Sequence, residues 1–525
     1  MSDDLMTDQQ QVPEQQAAGR PAPQKPSGEN RSAGNPSVEK PAGGKRPREK
    51  QKKAPFRGTG FLRLWTGETL SLAGTEITFM AIGITAVTTL AATPWQMGVL
   101  EAAESAAVLL LGLSAGVWAD RYERRALMLV SNVARGLLLF AIPLLFWLDA
   151  LTIPVLYGVV FLVGAFTLLF DSAMSAYLPR LLPRGQLERA NSWMEASTSV
   201  GTVAGPGLAG LLIQVMSAPV ALVVDCFSYL ISCFTLAGLP KAPPSADPAA
   251  DDERTADGAN GAEAEGAPGE GAGPGAGEKR ESHRKAVLKG LRLLRDDRIQ
   301  RPMILAATHF NIFHAMFFAV HTLFVLRVLG FSPGLLGATS MAGGVAGLLG
   351  ASCTPFLTRL LGQGRALVLA YAAPGVSAVL VPLAQQWDNR PLAVVLVSAS
   401  TFTWTFAVVV NLVISETVKQ SLVPDHLLGR VTATTRFVSW GCQPVGALLG
   451  GWLGGRFGLA EVMYVSAAGL LTSALWPLLS PVRSLQGTEG EDGEDGEEQE
   501  VDGRPAGAAP VGDEPSPKTP PPTEP

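Results

Sequence analysis

Several ionisable side chains fall inside long apolar stretches of this 525-residue chain, where a charge is costly unless it faces a cavity or a partner, and eight of them are candidates for coupling. A carboxylate that alternates between an apolar site and a site beside an arginine takes up and releases a proton. Glu76 and Glu104 are the preferred candidates for such an acid, with Arg135 as a partner. A static buried ion pair or a gate contact is the alternative for each residue. The eight are Glu76, Glu104, Arg135, Asp171, Glu195, Asp225, Glu416 and Arg436.

A polar stripe follows one face of a later apolar stretch. Asn311, His314, Phe318 and His321 recur at spacings of three and four residues, which places them on one side of a helix. Such a stripe can line a cavity that binds a substrate or moves protons, or it can form ordinary hydrogen bonds between helices. Metal binding is a third possibility, but the two histidines are two turns apart and lack an accompanying carboxylate. We therefore predict no metal site and no cofactor.

The stretches that carry these groups are long enough to cross a bilayer as helices. The pattern predicts an all-α membrane protein with twelve transmembrane helices, because a helix satisfies its own backbone hydrogen bonds in lipid. The predicted spans are 66–91, 95–118, 126–148, 152–177, 191–215, 219–239, 302–329, 334–358, 366–386, 391–416, 430–454 and 460–480.

A compact charged segment separates the second apolar stretch from the third. Gly116 allows a helix end to approach a neighbour closely, and Asp120 is a single negative charge beside the cation Arg121. Arg124 and Arg125 follow and are expected to anchor the next helix among lipid headgroups. The segment therefore predicts a tight turn at one membrane face.

A glycine-rich segment lies in the fifth stretch and contains Gly201, Gly205, Pro206 and Gly210. Small residues at this spacing let helices touch backbone to backbone, while the proline bends its helix and frees a carbonyl group. Plain close packing of helices would explain the same composition.

Both segments resemble signatures of the major facilitator superfamily. The charged segment fills every fixed position of the superfamily's loop signature. The glycine-rich segment is similar to the signature of its drug:proton antiporters, with Ala209 replacing one glycine and Ser192 replacing an earlier one. The arginine that many exporters carry in the fourth span is absent from residues 164–171.

Over about residues 56–483 the chain is similar to the exporter branch that includes the enterobactin exporter and macrolide-efflux-like proteins. The resemblance implies export from the cytoplasm driven by the proton gradient. It also implies that Asp120 docks against the start of span eleven when the protein faces outward, which suits a carboxylate at a helix N-terminus. Further residues that carry the resemblance are 98–104, 170–171, 177–179, 190–192, 195–197 and 428–431.

The two halves of the chain repeat each other. Positions 241 residues apart match at Pro183 and Pro424 and at Gly205 and Gly446. The repeat predicts two pseudo-symmetric six-helix bundles with a substrate site between them near the midplane. The predicted divisions are a disordered tail at 1–56, the N-terminal bundle at 57–240, a disordered acidic linker at 241–283, an amphipathic helix with the C-terminal bundle at 284–483, and a disordered acidic and proline-rich tail at 484–525.

Lysine and arginine crowd the segments before the first span and at alternate loops, which predicts cytoplasmic termini and a multi-pass protein of the plasma membrane. The formal net charge of −5 says little about partners, because much of the acid lies in the tails and the linker. The basic run 45–53 adjoins a span and suits anionic lipid better than nucleic acid. The expected partners are a small-molecule substrate, protons and the lipid bilayer, and a monomer is expected.

The sequence lacks a nucleophile elbow, a P-loop and a zinc-binding helix, so we predict no catalytic residues and no enzymatic activity. It favours a secondary transporter that exports a drug, an antibiotic or a siderophore-like metabolite by proton antiport. Two alternatives stay open. One is an importer or lipid transporter of the same fold, and the other is a membrane receptor or scaffold that moves nothing.

Overall fold

The computed structural model describes residues 56, 60–182, 184–240, 298–423 and 425–485, without the side chains of 113–117, 119, 120, 184, 185, 425–430 and 433. Within these residues the chain forms twelve helical spans. They are α1 (Phe61–Ile84, continued by a π-helical turn, Thr85–Thr89), α2 (Pro94–Arg121), α3 (Arg124–Trp147), α4 (Ile153–Leu181), α5 (Arg184–Met216), α6 (Ala218–Ala237), α7 (Gln300–Arg327), α8 (Pro333–Leu361), α9 (Gln363–Ala378, extended by Leu380–Leu383), α10 (Arg390–Leu422), α11 (Asp425–Gly441 followed by Gln443–Phe457) and α12 (Leu459–Ser473 followed by Leu475–Leu478).

Polar caps start α2 and its counterpart in the second half, α8. The Thr93 side chain accepts a hydrogen bond from the backbone N–H of Gln96, and the Gln96 side chain accepts one from the Thr93 backbone N–H. The Ser332 hydroxyl accepts from the backbone N–H of Leu335 at 3.2 Å. A proline follows each cap, and its missing N–H costs nothing in the first helical turn. These caps satisfy backbone donors where two helices enter the membrane.

The prediction of an all-α membrane protein is confirmed. Ten of the described helices are long and apolar enough to cross a membrane. Of the other two spans, α2 carries Glu101 and Glu104, and α11 is divided at Cys442 into segments of 17 and 15 residues. Several helices extend beyond the predicted spans, because their polar terminal turns continue the helix past the apolar stretch. α5, for example, begins at Arg184 instead of residue 191.

The two bundles repeat the same helix pairings. In the first, α1 packs against α5 and α6, α2 packs against α4, and α3 packs against α4 and α6. In the second, α7 packs against α11 and α12, α8 against α10, and α9 against α10 and α12. Each pairing in one bundle has its equivalent six helices later in the other. The predicted pseudo-symmetry is therefore present in the packing as well as in the sequence.

The bundles contact each other through α2 with α11 and through α5 with α8. A methyl group on Gly98 would lie 2.6 Å from the carbonyl oxygen of Ala447 and 2.8 Å from Cα of Gly451. A methyl group on Gly337 would lie 2.5 Å from the carbonyl oxygen of Pro206 and 2.9 Å from Cα of Gly210. The two contacts are therefore made by main-chain atoms, which glycine alone permits at this separation.

We call the membrane face at which α1 begins and α12 ends the terminal face, and the other the opposite face. Both glycine contacts lie toward the opposite face, because Gly98 and Gly337 are in the first turns of α2 and α8. The bundles are thus held together backbone to backbone on that side.

One boundary prediction is corrected. Phe56, assigned from the sequence to a disordered tail, is buried and packs its ring 4.4 Å from the ring of Phe61 and 5.4 Å from that of Trp193. Aromatic burial outweighs the polar composition of the preceding residues at this position. The rest of the predicted tails, the acidic linker and the amphipathic helix at 284–298 lie outside the described residues. Residues 298, 484 and 485 are the further exceptions.

Candidate functional site

A cavity of about 340 Å³ lies between the bundles and is lined by residues of α1, α5, α7, α8 and α10. We call it the central cavity. Its acidic group is Glu76, and its wall combines aromatic rings with the imidazole of His321 and several hydroxyl groups. The lining residues are Glu76, Phe79, Met80, Pro206, Phe317, Phe318, His321, Thr322, Leu336, Ser340, Ser400, Thr401, Trp404 and Thr405.

Glu76 of α1 lies directly against Gly205 of α5. A methyl group on Gly205 would be 2.4 Å from Cβ and 2.8 Å from Cγ of Glu76. The glycine therefore leaves the space that the acidic side chain occupies beside Pro206. Gly201, one turn earlier, has no such role, because its nearest neighbour would be 4.0 Å away. The structure brings together an acid and a glycine-rich segment that the sequence indicated separately.

An aromatic cluster around Trp404 of α10 forms one wall of the central cavity. The Trp404 ring lies 5.2 Å from the ring of Phe317, 5.4 Å from Phe318 and 5.6 Å from His314. The Phe317 ring also lies 5.5 Å from that of His321. Trp404 was not predicted from the sequence, because nothing in α10 alone shows that this tryptophan faces the polar stripe of α7.

A second cavity, of about 380 Å³, lies inside the C-terminal bundle between α7, α9, α10 and α11. We call it the C-bundle cavity. Asn311 and His314 line it, whereas His321 lines the central cavity. Two predicted ionisable residues, Glu416 and Arg436, also line the C-bundle cavity. The predicted stripe of α7 thus contributes to both cavities.

Arg135 of α3 is 4 % exposed and lies between the rings of Phe170 and Tyr229, at 4.5 and 4.6 Å from its guanidinium carbon. It donates hydrogen bonds to the side chains of Asn132 and Thr167. Among the described residues no carboxylate lies within ion-pair distance of it. Arg135 is therefore stabilised by aromatic faces and neutral acceptors inside the N-terminal bundle.

Asp225 of α6 is fully buried and is held by two hydroxyl groups. Thr78 donates to one carboxylate oxygen at 2.5 Å, and Ser228 donates to the other at 2.6 Å. A methyl group on Gly74 would lie 2.0 Å from the same carboxylate, so this glycine makes room for it. Asp225 belongs to the interface of α1 with α6, apart from both cavities.

The other predicted acids lie away from the residues that line the two cavities. Asp171 and Glu195 are exposed. Glu104 lies one turn from Glu101 on α2, and neither carboxylate has a hydrogen-bond or ion-pair partner among the described residues. Glu68 of α1 was not among the predicted residues, but it has a buried carboxylate oxygen without a hydrogen-bond partner in the described part of the chain. It lies near the start of the predicted span 66–91.

The predicted charged segment forms the end of α2 and the start of α3. Gly116 and Asp120 lie in α2, but their side chains fall outside the described residues, so the docking of Asp120 stays a prediction. Arg121 is exposed and Arg124 is partly buried. The Arg125 guanidinium donates to the carbonyls of Leu236 at 3.0 Å and Ala237 at 2.5 Å. It therefore caps the C-terminus of α6, where a cation also interacts favourably with the helix dipole.

Replacing Arg125 with glutamine is expected to lower the apparent melting temperature of the detergent-purified protein. The change removes two charge-assisted hydrogen bonds, which together contribute about 1–3 kcal/mol to the free energy of unfolding. Arg365 is a matched control, since it occupies the equivalent position at the start of α9 but is exposed. Equal destabilisation by Arg125→Gln and Arg365→Gln in a thermal unfolding scan would contradict the capping role.

Two repeated helical bundles around a cavity at their interface define a class of membrane transporters. A model of the Major Facilitator Superfamily matches residues 64–443 of this chain. The chain therefore belongs to the Major Facilitator Superfamily, and the resemblance read from its motifs is confirmed. The members of this superfamily are transporters, which agrees with the prediction that the chain is not an enzyme.

Similar proteins support the same assignment. The chain is 25% identical to the multidrug efflux pump Tap of Mycolicibacterium fortuitum over 393 residues, which are 72% of this chain and 85% of that protein. It is 26% identical to the uncharacterized MFS-type transporter YfiS of Bacillus subtilis (strain 168) over 182 residues. That match spans 35% of this chain and 42% of the relative.

Solved structures share the fold. The structure of a mutant of the nucleoside transporter NupG has a TM-score of 0.63 at 11% identity, covering 80% of this chain and 99% of that one. A bacterial homologue of the iron transporter ferroportin, in an inward-facing state, has a TM-score of 0.58 at 14% identity, covering 80% and 98%. At these identities the likeness concerns the fold alone.

Proposed function

We propose that this chain exports a small organic molecule from the cytoplasm across the plasma membrane in exchange for protons. The observation that carries the proposal is the contact of Glu76 with Gly205 in the wall of the central cavity. It joins a titratable group to the segment that resembles an antiporter signature. The similarity to the multidrug efflux pump Tap supports export of an organic molecule.

The chemistry of the central cavity suits a mechanism of alternating access. A substrate that enters the cavity would lie beside Glu76, against the rings of Phe317, Phe318 and Trp404. An ionised carboxylate and a protonated one interact differently with the same substrate, so binding and proton release are linked there. Movement of one bundle against the other would then expose the cavity at each face in turn.

The orientation of the protein is part of the proposal. Lysine and arginine concentrate near the ends of the helices at the terminal face, which favours a cytoplasmic location for that face and for both termini. We propose a monomer in the plasma membrane, with the segments 1–55, 241–283 and 484–525 as cytoplasmic tails and linker.

Proton coupling can be tested in energised inside-out vesicles that contain a pH-sensitive dye. We expect one compound from a panel of lipophilic drugs, macrolides and catechol siderophores to release protons from the acidic lumen. Glu76→Gln should abolish this release, because the amide cannot exchange a proton. Glu188→Gln is the control, since Glu188 is an exposed acid of α5 that lines neither cavity.

Other outcomes would replace the proposal. Passage of a labelled substrate without proton release would indicate facilitated or sodium-linked transport. Uptake in right-side-out vesicles would indicate an importer. Equal proton release by wild type and Glu76→Gln would remove this acid from the coupling step.

A further inference from the structure

The C-bundle cavity is rich in hydrogen-bond donors. Its walls include the side-chain amides of Asn311, Asn411 and Gln443, together with several hydroxyl groups. Apolar and aromatic surface is also present, from Phe310 and from Trp440. A cavity of about 380 Å³ with a few convergent polar groups and an apolar wall has the size and character of a small-molecule site.

The charges of the C-bundle cavity are unbalanced in favour of cations. Lys419 and Arg436 line it together with one carboxylate, that of Glu416. Lys419 pairs with Glu416 at 2.7 Å, and its side chain is 9% exposed whereas that of Glu416 is 42% exposed. Among the described residues Arg436 has no carboxylate partner, and its guanidinium lies 5.8 Å from the ring of Trp440. One cation is therefore left uncompensated at the cavity.

Some polar groups at this cavity are buried without a hydrogen-bond partner in the described part of the chain. The hydroxyl of Ser439 is one of them, in a residue that is 3% exposed. The hydroxyl of Thr435 and Nδ1 of His314 are others. Buried polar groups normally have partners, and leaving one unpaired costs about 1–3 kcal/mol. Their shared position points to a ligand that supplies acceptor atoms.

The N-terminal bundle does not repeat this arrangement. The positions 241 residues before Lys419 and Arg436 are Leu178 and Glu195. The pseudo-symmetry therefore relates a cationic pair in one bundle to an apolar residue and an acid in the other. This set of donors belongs to the second half alone and does not follow from the shared fold.

We propose that the C-bundle cavity binds the anionic group of an amphipathic organic molecule, such as a carboxylate, sulfonate or phosphate ester. Arg436 contacts the anion, and the planar fork of its guanidinium suits two acceptor oxygens at once. Lys419 adds a second positive charge, and the apolar body of the ligand lies against Phe310 and Trp440. The inference deepens the proposed transport function and rests on it, since the anion would belong to the cargo.

Binding of three matched probes tests the site in nanodiscs of phosphatidylcholine. The probes are 2-naphthoate, its methyl ester and 2-naphthylmethylammonium, which share an aromatic body and differ in charge. We expect calorimetry to show tightest binding for 2-naphthoate. Arg436→Gln should weaken 2-naphthoate about tenfold, the loss expected for one charge-assisted contact, and should leave the ester unchanged.

Two further variants separate a lost contact from general damage. Glu416→Gln removes the carboxylate that competes for Lys419, so it should strengthen 2-naphthoate binding several-fold. Arg359→Gln is the matched control, because Arg359 is an exposed arginine of α8 that lines neither cavity. Stronger binding after one substitution and weaker binding after another cannot both arise from a misfolded bundle.

The source of the anion is resolved by exchanging the lipid. If phosphatidylglycerol in the nanodiscs lowers 2-naphthoate affinity in wild type but not in Arg436→Gln, a lipid headgroup shares the site. If it has no effect, a soluble anion is the ligand. Equal binding of all three probes, or equal weakening of all three by Arg436→Gln, would overturn the inference. Because this experiment uses no gradient, it can succeed even where the proton-release assay fails.

Discussion

Gly205→Ala is expected to reduce substrate-dependent proton release by about 100-fold, a loss typical of a displacement near 1 Å in a precisely arranged site. The added methyl group would lie 2.4 Å from Cβ of Glu76. Cβ is fixed to the backbone, so a rotamer change of Glu76 cannot remove this clash. Helices α1 and α5 must separate, and the carboxylate then leaves its position in the central cavity.

Gly201→Ala provides the control for this prediction. Gly201 belongs to the same segment and the same helix, yet its added methyl group would meet no atom closer than 4.0 Å. We expect proton release near the wild-type rate for Gly201→Ala in the same vesicle assay. If the two alanine variants lose activity equally, the segment acts through general flexibility and not through its contact with Glu76.

Gly451→Ala is expected to open the opposite face. Its methyl group would lie 2.7 Å from the carbonyl oxygen of Pro94 and 2.9 Å from Cα of Gly98. Main-chain atoms cannot avoid the methyl group by a change of rotamer, so the two bundles must separate where α2 packs against α11. An overpacking penalty of about 1–3 kcal/mol changes a two-state ratio by about 5- to 150-fold.

Spin labels can measure this opening. In a cysteine-free background, Trp95→Cys and Arg456→Cys place labels on exposed positions of α2 and α11 at the opposite face. The distance distribution should gain a longer component in Gly451→Ala. Gly455→Ala, one turn away with no neighbour within 4 Å, should match the parent. An unchanged distribution in Gly451→Ala would show that this contact does not hold the face closed.

The sequence predicted the helices well because apolar length and hydrogen-bond satisfaction in lipid are local properties. It predicted the repeat for the same reason, since matching positions can be compared along one chain. The division of α11 at Cys442 was missed, because the residues around Cys442 keep the apolar character of the span. The start of α5 and the end of α10 were also placed short, because the first turns of α5 and the last turns of α10 are polar.

Contacts between distant helices were harder to predict. Glu76 and Gly205 were each indicated by type and spacing, but their contact depends on how α1 packs against α5. Lys419 lies beyond the predicted span 391–416, yet it is buried and pairs with Glu416. Arg125 was expected to reach lipid headgroups and instead donates to the end of α6. In each case the helical pattern predicts which face of a helix a residue lies on. It does not predict which residue of a neighbouring helix that face contacts.

The main-chain contacts between the bundles have a consequence for how such a protein can evolve. Gly98 with Gly451 and Gly210 with Gly337 hold the two halves together without any side chain. The chemistry of the central cavity depends instead mainly on side chains of α1, α7 and α10. The residues that line the cavity can therefore vary without any change in the main-chain contacts between the bundles.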